Sequence, residues 1–133
     1  MTDKIQILTI PITDTFSQQR RLIQDRGELA LIEDGMPFRH LGYFTLLPGP
    51  GFFRGGHYHL RKTEFFYIAQ GTLRIQLVDL DTEERSEARL QTGHRVTIKP
   101  RCAHRFQAEQ EAHVIEYYDG LYELEDDYLY HDF

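Results

Sequence analysis

The chain has 133 residues, 41% of them hydrophobic and 13% aromatic; that is enough for one full core without covalent staples and too little for two independent domains. Fifteen basic against twenty-one acidic side chains leave a formal charge of −6, the wrong sign for a surface that must neutralise nucleic-acid phosphates. The lone cysteine, Cys102, permits no intrachain disulfide, as in chains made for a reducing compartment, so the cytoplasm is the expected location.

Taken in chain order, the opening segment carries one lysine and a short alternating apolar stretch, Ile5 to Ile10, broken by Pro11. It reads as a strand, and neither as a signal peptide nor as a membrane span. Ser17 to Gln24, with polar helix formers behind a Thr15 cap, is the only helix candidate. Further strands are predicted at Glu28 to Glu33, Arg39 to Leu47, Gly56 to Leu60, Glu64 to Ala69, Leu73 to Leu80, Glu84 to Leu90, His94 to Ile98, His104 to Ala108 and His113 to Tyr118, because these runs are short, alternating and rich in β-branched or aromatic residues. Turn chemistry separates them at Glu33-Asp34-Gly35, Pro48 to Gly51, Gln70-Gly71, Asp79 to Thr82 and Thr92-Gly93. The pattern is that of an all-β protein, one antiparallel jelly roll or barrel over residues 1–133, closed to remove its edges. The tyrosine- and acid-rich tail from Tyr117 to Phe133 is expected to be ordered and, like the first strand, to pack on the barrel or on a partner subunit. A homodimer is the expected assembly.

The chemistry concentrates in RGGHYHLRKTEFFYIAQG. His57 and His59 stand two residues apart, so on a strand both imidazoles project from one face. Glu64 opens the following strand, and a hairpin brings its carboxylate back beside that pair. Downstream, the strand from His94 ends before Pro100, and His104 follows on the adjacent antiparallel strand as a third imidazole. Three neutral nitrogens and one carboxylate suit Fe(II), Mn, Ni, Co, Cu or Zn and leave coordination positions open. Arg39, Arg54 and Arg61 are candidates for a local anion site despite the negative net charge. Cys102, two residues before His104, is expected to be a small buried hydrophobe. His40, His94, His113 and His131 lack partners at ligand spacing and read as surface or hydrogen-bonded histidines.

These residues resemble the cupin family: His57-x-His59, Glu64 and Gly71 match its first motif, and Gly93 to His104 its second, within residues 40–118. Lys99, Arg101 and Ala108 stand where proline, glycine and asparagine are common. None of them is a ligand position. The resemblance implies a cupin-type double-stranded β-helix holding one divalent transition-metal ion, with Zn, Mn, Ni, Fe and Co as candidates, on His57, His59, Glu64 and His104.

A narrower resemblance joins DRGELALIED, MPF, RGGHYH and ELEDDYLYHDF to the small cupin sugar-nucleotide 3,4-ketoisomerases and epimerases of polysaccharide biosynthesis. It implies a small carbonyl-bearing carbohydrate substrate, proton transfer by His57 or His59, and Arg54 near the sugar or its diphosphate; Arg39 is a second candidate for substrate binding by its charge. Those ketoisomerases generally lack the glutamate and the second-motif histidine that this chain keeps. If Glu64 and His104 hold an ion together with the histidine pair, another group must move the proton, and Tyr43, Tyr67 and a metal-bound hydroxide are the candidates. An Fe(II)-dependent cupin dioxygenase and a non-catalytic metal- or ligand-binding module are the competing readings of the same four residues.

Overall fold

The computed structural model describes residues 1–15 and 18–133. Its strands are β1 (Ile5–Thr9), β2 (Arg21–Gln24), β3 (Gly27–Ala30), β4 (His40–Leu46), β5 (Arg54–Tyr58), β6 (Glu64–Gln70), β7 (Thr72–Asp79), β8 (Arg85–Gln91), β9 (His94–Ile98), β10 (Cys102–Ala108), β11 (Ala112–Tyr118) and β12 (Tyr128–Leu129). Among the described residues one 3-10 turn, Leu124–Asp126, precedes the last strand. Two five-stranded antiparallel sheets, ordered β1-β9-β6-β11-β4 and β12-β5-β10-β7-β8, form the expected cupin-type jelly roll.

The interior follows from strand alternation. On β7, Leu73, Ile75 and Leu77 are buried while Arg74 and Gln76 turn outward. Phe66 and Ile68 of β6, Phe106 and Ala108 of β10 and Ala112 and Val114 of β11 join them in one apolar cluster with Leu90, Val96 and Ile98. Each large side chain buried this way contributes about 1.5–3 kcal/mol. The period of two makes the next residues on the same faces, Glu64 on β6, His104 on β10 and Glu116 on β11, interior residues as well. The core therefore grades into a polar chamber at one end of the barrel.

The helix expected over Ser17 to Gln24 is not formed: Ser17 lies outside the described residues, and Arg21–Gln24 is β2, paired with β3 from Arg21↔Ala30 to Gln24↔Gly27. A segment this short cannot offset the cost of nucleating a helix, whereas the hairpin buries Leu22 and sets Arg21 against Glu28 at 2.7 Å. Strand β3 is also shorter than expected. Beyond it, Glu33 caps the outer face of the first sheet, meeting Arg95 at 2.8 Å and accepting a hydrogen bond from the Tyr117 hydroxyl at 3.0 Å. Strand β1 pairs with β9 of its own chain, and the tail closes on β5 through β12. No helix is long and apolar enough to cross a membrane among the described residues.

Gly71 carries the tightest turn. Its φ is +93°, and a Cβ would fall 2.1 Å from the Glu111 carbonyl oxygen. Replacing Gly71 with alanine should cost at least about 1–3 kcal/mol from backbone strain alone, read as a lower denaturation midpoint; an unchanged midpoint would show that the turn adapts.

Candidate metal centre

The second sheet supplies the histidines and the first the carboxylate. His57 on β5 lies directly opposite His104 on β10, beside a register shift between His104 and Arg105. Gly55 makes this close approach feasible: its φ is +86°, and a Cβ would stand 2.8 Å from the His104 carbonyl oxygen. A side chain there would push β5 off β10 and separate the two rings. Glu64 starts β6 next to Ile98 of β9 and points across the barrel.

The ligand atoms of His57, His59, Glu64 and His104 all lie within 4.8 Å of one another. Nε2 of His59 and Nε2 of His104 each stand 3.0 Å from Oε1 of Glu64. All three atoms are buried without a properly oriented hydrogen-bond partner, so their lone pairs converge on one point. Unsatisfied buried polar atoms are costly, and a cation is the group that satisfies several lone pairs at once.

The outer ring nitrogens are held from behind. Nδ1 of His59 donates to the Asp126 carbonyl at 2.6 Å, and Nδ1 of His104 donates to the Cys102 carbonyl at 3.0 Å. Nδ1 of His57 lies 2.9 Å from the Asp127 carboxylate. With Nδ1 so engaged, Nε2 is the nitrogen left for an ion, the tautomer that partners of this kind impose at metal sites. Asp126 is anchored in turn by the amides of Leu60 and Arg61, at 2.8 and 3.3 Å.

Electrostatics agree with this donor set. Burial, then the neighbouring His104, pushes His57 down to about 4, keeping it a neutral donor. Burial raises the Glu64 carboxyl, but His104 and His59 outweigh it and hold the group well below its usual range, as an anion. Burial lowers His59, yet the facing Glu64 carboxylate raises it overall. The quartet thus offers one fixed negative charge on Glu64 and a neutral imidazole at His57 beside two further imidazole nitrogens, donor types that fit a divalent first-row ion.

Beside the quartet lies a cavity of about 180 Å³ lined by Phe44, Arg54, His57, Glu64, Phe66, Phe106 and Glu116. That is smaller than the roughly 300–1,000 Å³ of pockets that enclose a whole drug-sized ligand, so it accommodates one small ring with the rest of a larger ligand outside. Arg54 also borders an adjoining groove that carries Phe52 and Phe53.

Of the residues singled out in the sequence, the structure gathers His57, His59, Glu64, His104 and Arg54 around this chamber. It places four elsewhere. Tyr43 is 62% exposed on the outward face of β4, bonded to His113. Tyr67 is buried on the opposite face of β6 from Glu64, in the field of Arg21 and Glu28. Arg39 sits at the surface, 3.3 Å from Asp119. Both tyrosines are odd-numbered on strands whose even-numbered residues face inward, so neither reaches the chamber. Arg61 likewise pairs outside, with Glu123 at 2.7 Å. Cys102 is buried, and burial pushes its thiol up to about 11, away from thiolate chemistry. Arg101, in the place of a common glycine, adopts a φ of +63° itself, and its amide donates to the His59 carbonyl at 2.7 Å.

The structure adds residues that spacing did not flag. Asp126 and Asp127 hold two of the three imidazoles from the tail, with Asp126 lying 67 residues beyond His59 in sequence and so outside any local motif. His40, Glu116 and Tyr118 continue the inward face of β4 and β11 beside the quartet, and their signal is the alternation that runs from Val114 through Glu116 to Tyr118.

Solved structures share the fold. The sugar 3,4-ketoisomerase QdtA from Thermoanaerobacterium thermosaccharolyticum, in complex with TDP, superposes with a TM-score of 0.76 at 14% identity, over 96% of this chain and 88% of that one. The TDP-quinovose 3,4-ketoisomerase WlaRB from Campylobacter jejuni gives 0.74 at 18%, over 96% and 94%. A dTDP-4-dehydrorhamnose 3,5-epimerase from Sulfolobus tokodaii gives 0.75 at 16%, over 97% and 78%. No curated protein matches the sequence. Residues 25–125, which include all four clustered donors, match the polysaccharide biosynthesis C-terminal domain, and the chain belongs to that family.

Proposed function

We propose that this protein is a metal-dependent isomerase or epimerase of keto sugars, taken as their sugar nucleotides, with His57, His59, Glu64 and His104 holding one divalent ion. The observation that carries the reading is the convergence of buried, unpartnered donor atoms on the wall of a small chamber that also holds Arg54 and a second carboxylate. When bound, a divalent ion supplies Lewis acidity that stabilises negative charge on a substrate oxygen. The chain's own residues do the rest. Phe44, Phe66 and Phe106 give the chamber apolar walls that strengthen the electrostatic contacts beside them. Arg54 stands where a diphosphate would leave the chamber, and the groove with Phe52 and Phe53 offers aromatic surface to a base.

The named neighbours support the substrate class: QdtA has been seen with TDP and, as a point mutant, with TDP-4-keto-6-deoxyglucose. The test is to incubate the metal-loaded protein in D2O with a panel of deoxy-keto sugar nucleotides, that compound included, and follow the carbon-bound protons by NMR. Deuterium is expected at a carbon beside the ketone without oxygen consumption. Oxygen uptake that needs iron would replace the reading with a dioxygenase, and no exchange across the panel would refute it.

A further inference from the structure

If His57, His59 and His104 are committed to an ion, their ring nitrogens are occupied, and proton transfer needs a group of its own within reach of the chamber. We propose that Glu116, paired with His40, is that group; the inference rests on the keto-sugar reading above.

Glu116 is placed by register. It lies between Gly42 of β4 and Phe66 of β6, on the β11 face that buries Val114, and its side chain lines the chamber with Glu64 and His57. A glycine opposite is what lets it lie there: a Cβ on Gly42 would stand 2.7 Å from Oε1 of Glu116. Among the described residues no lysine or arginine pairs with Glu116. Its one ionisable neighbour at pairing distance is His40, whose Nε2 stands 3.6 Å from Oε1 and is buried without a hydrogen-bond partner. The His40 ring is fixed by stacking on Tyr118, centroids 4.2 Å apart and planes within 7°. At 32% side-chain exposure, Glu116 is sheltered yet open to a substrate and to solvent exchange. A carboxylate on the inward face of a barrel, with room made for it and no structural cation, is in the situation of a general base. The Tyr118 hydroxyl beside it is buried and unpartnered, and burial with the charges of Glu116 and Glu64 pushes it up to about 12, so it stays a proton donor.

In the step proposed, the Glu116 carboxylate takes the proton from the carbon beside the ketone. The C–H electron pair becomes the new carbon–carbon π bond of an enediolate, and the carbonyl π pair moves onto oxygen. Return of that proton to the same face of the same carbon regenerates the substrate, with solvent deuterium incorporated wherever the carboxylic acid has exchanged first. Its return to the former carbonyl carbon, while the neighbouring hydroxyl passes its proton to the other oxygen, moves the ketone by one carbon.

The experiment compares wild type, Glu116→Gln and Gly42→Ala, all metal-loaded, for solvent deuterium uptake into the keto-sugar nucleotide on which the wild type is active. Metal content and TDP binding are measured alongside. Glu116→Gln should lose at least about 100-fold in exchange rate, the scale of one general base, with metal content and TDP affinity unchanged. Gly42→Ala should fold, because the clashing atom is the mobile end of a side chain, and should lose part of the rate by displacing the carboxylate. Exchange in Glu116→Gln at the wild-type rate would overturn the assignment and leave the keto-sugar reading standing. Absence of exchange in wild type would overturn both.

Discussion

Replacing His104 with alanine is expected to lower affinity for the divalent ion by more than about 100-fold, since loss of merely an outer partner of a ligand costs 10–100-fold. His104 is buried, its Nε2 lies 3.0 Å from Glu64 and its Nδ1 is bonded to the Cys102 carbonyl, so the substitution removes a donor that the fold holds pre-oriented. The same substitution should uncouple metal from stability. On the proposed metal reading, Glu64 from one sheet and three histidines from the other would meet at the ion, and metal at a hundredfold excess over its Kd would add about 2.7 kcal/mol of stability by mass action. Thermal scans with and without metal check this: a rise in Tm for wild type and none for His104→Ala is expected, and equal rises would place the ion elsewhere. Asp127→Asn, which keeps the shape but weakens the charge behind His57, should fall between the two.

The second large effect is on folding. Phe106 is buried between the apolar core and the chamber, with its ring 5.1 Å from Phe66 and 6.0 Å from Phe44. Phe106→Ala removes the shared partner of both rings and should destabilise by about 3–5 kcal/mol. Urea unfolding of the metal-free protein reads it as a lower midpoint with an unchanged slope. Because His104 keeps its backbone partner, metal content should survive wherever the variant is folded. A midpoint close to wild type would mean that the chamber collapses or fills with water at little cost.

Much of this arrangement is legible in the sequence because strands write their geometry with a period of two. The alternation along Leu73, Ile75 and Leu77 marks a core face, and the same period puts His57 and His59 on one side of β5. The hairpins expected to return Glu64 and His104 are not formed: β5 and β6, like β9 and β10, lie in opposite sheets, so Glu64 meets the histidines across the barrel and His104 meets His57 through the pairing of β10 with β5. What stayed hidden depends on pairing across long separations. Arg21–Gln24 is rich in helix-compatible residues, and only its ladder with β3 makes it a strand. Asp126 and Asp127 sit in a tail expected to pack, but which of its acids reach the histidines is set only when β12 docks on β5. Tyr43 and Tyr67 carry suitable chemistry on the wrong parity of their strands, while Glu116 and His40 carry it on the right one. A glutamate on a strand reads as a solvent-facing residue until the sheet register shows which way its neighbours point.

The most direct test of the account is elemental analysis of the protein purified without a histidine tag or chelators, beside a His57→Ala, His104→Ala double variant. The structure predicts about one divalent transition-metal ion per wild-type chain, as for a site of four protein donors, and none in the folded variant. Wild-type protein that stays metal-free after anaerobic loading with zinc, manganese, nickel, cobalt and ferrous iron would contradict it and return His57 and His59 to the role of free acids and bases.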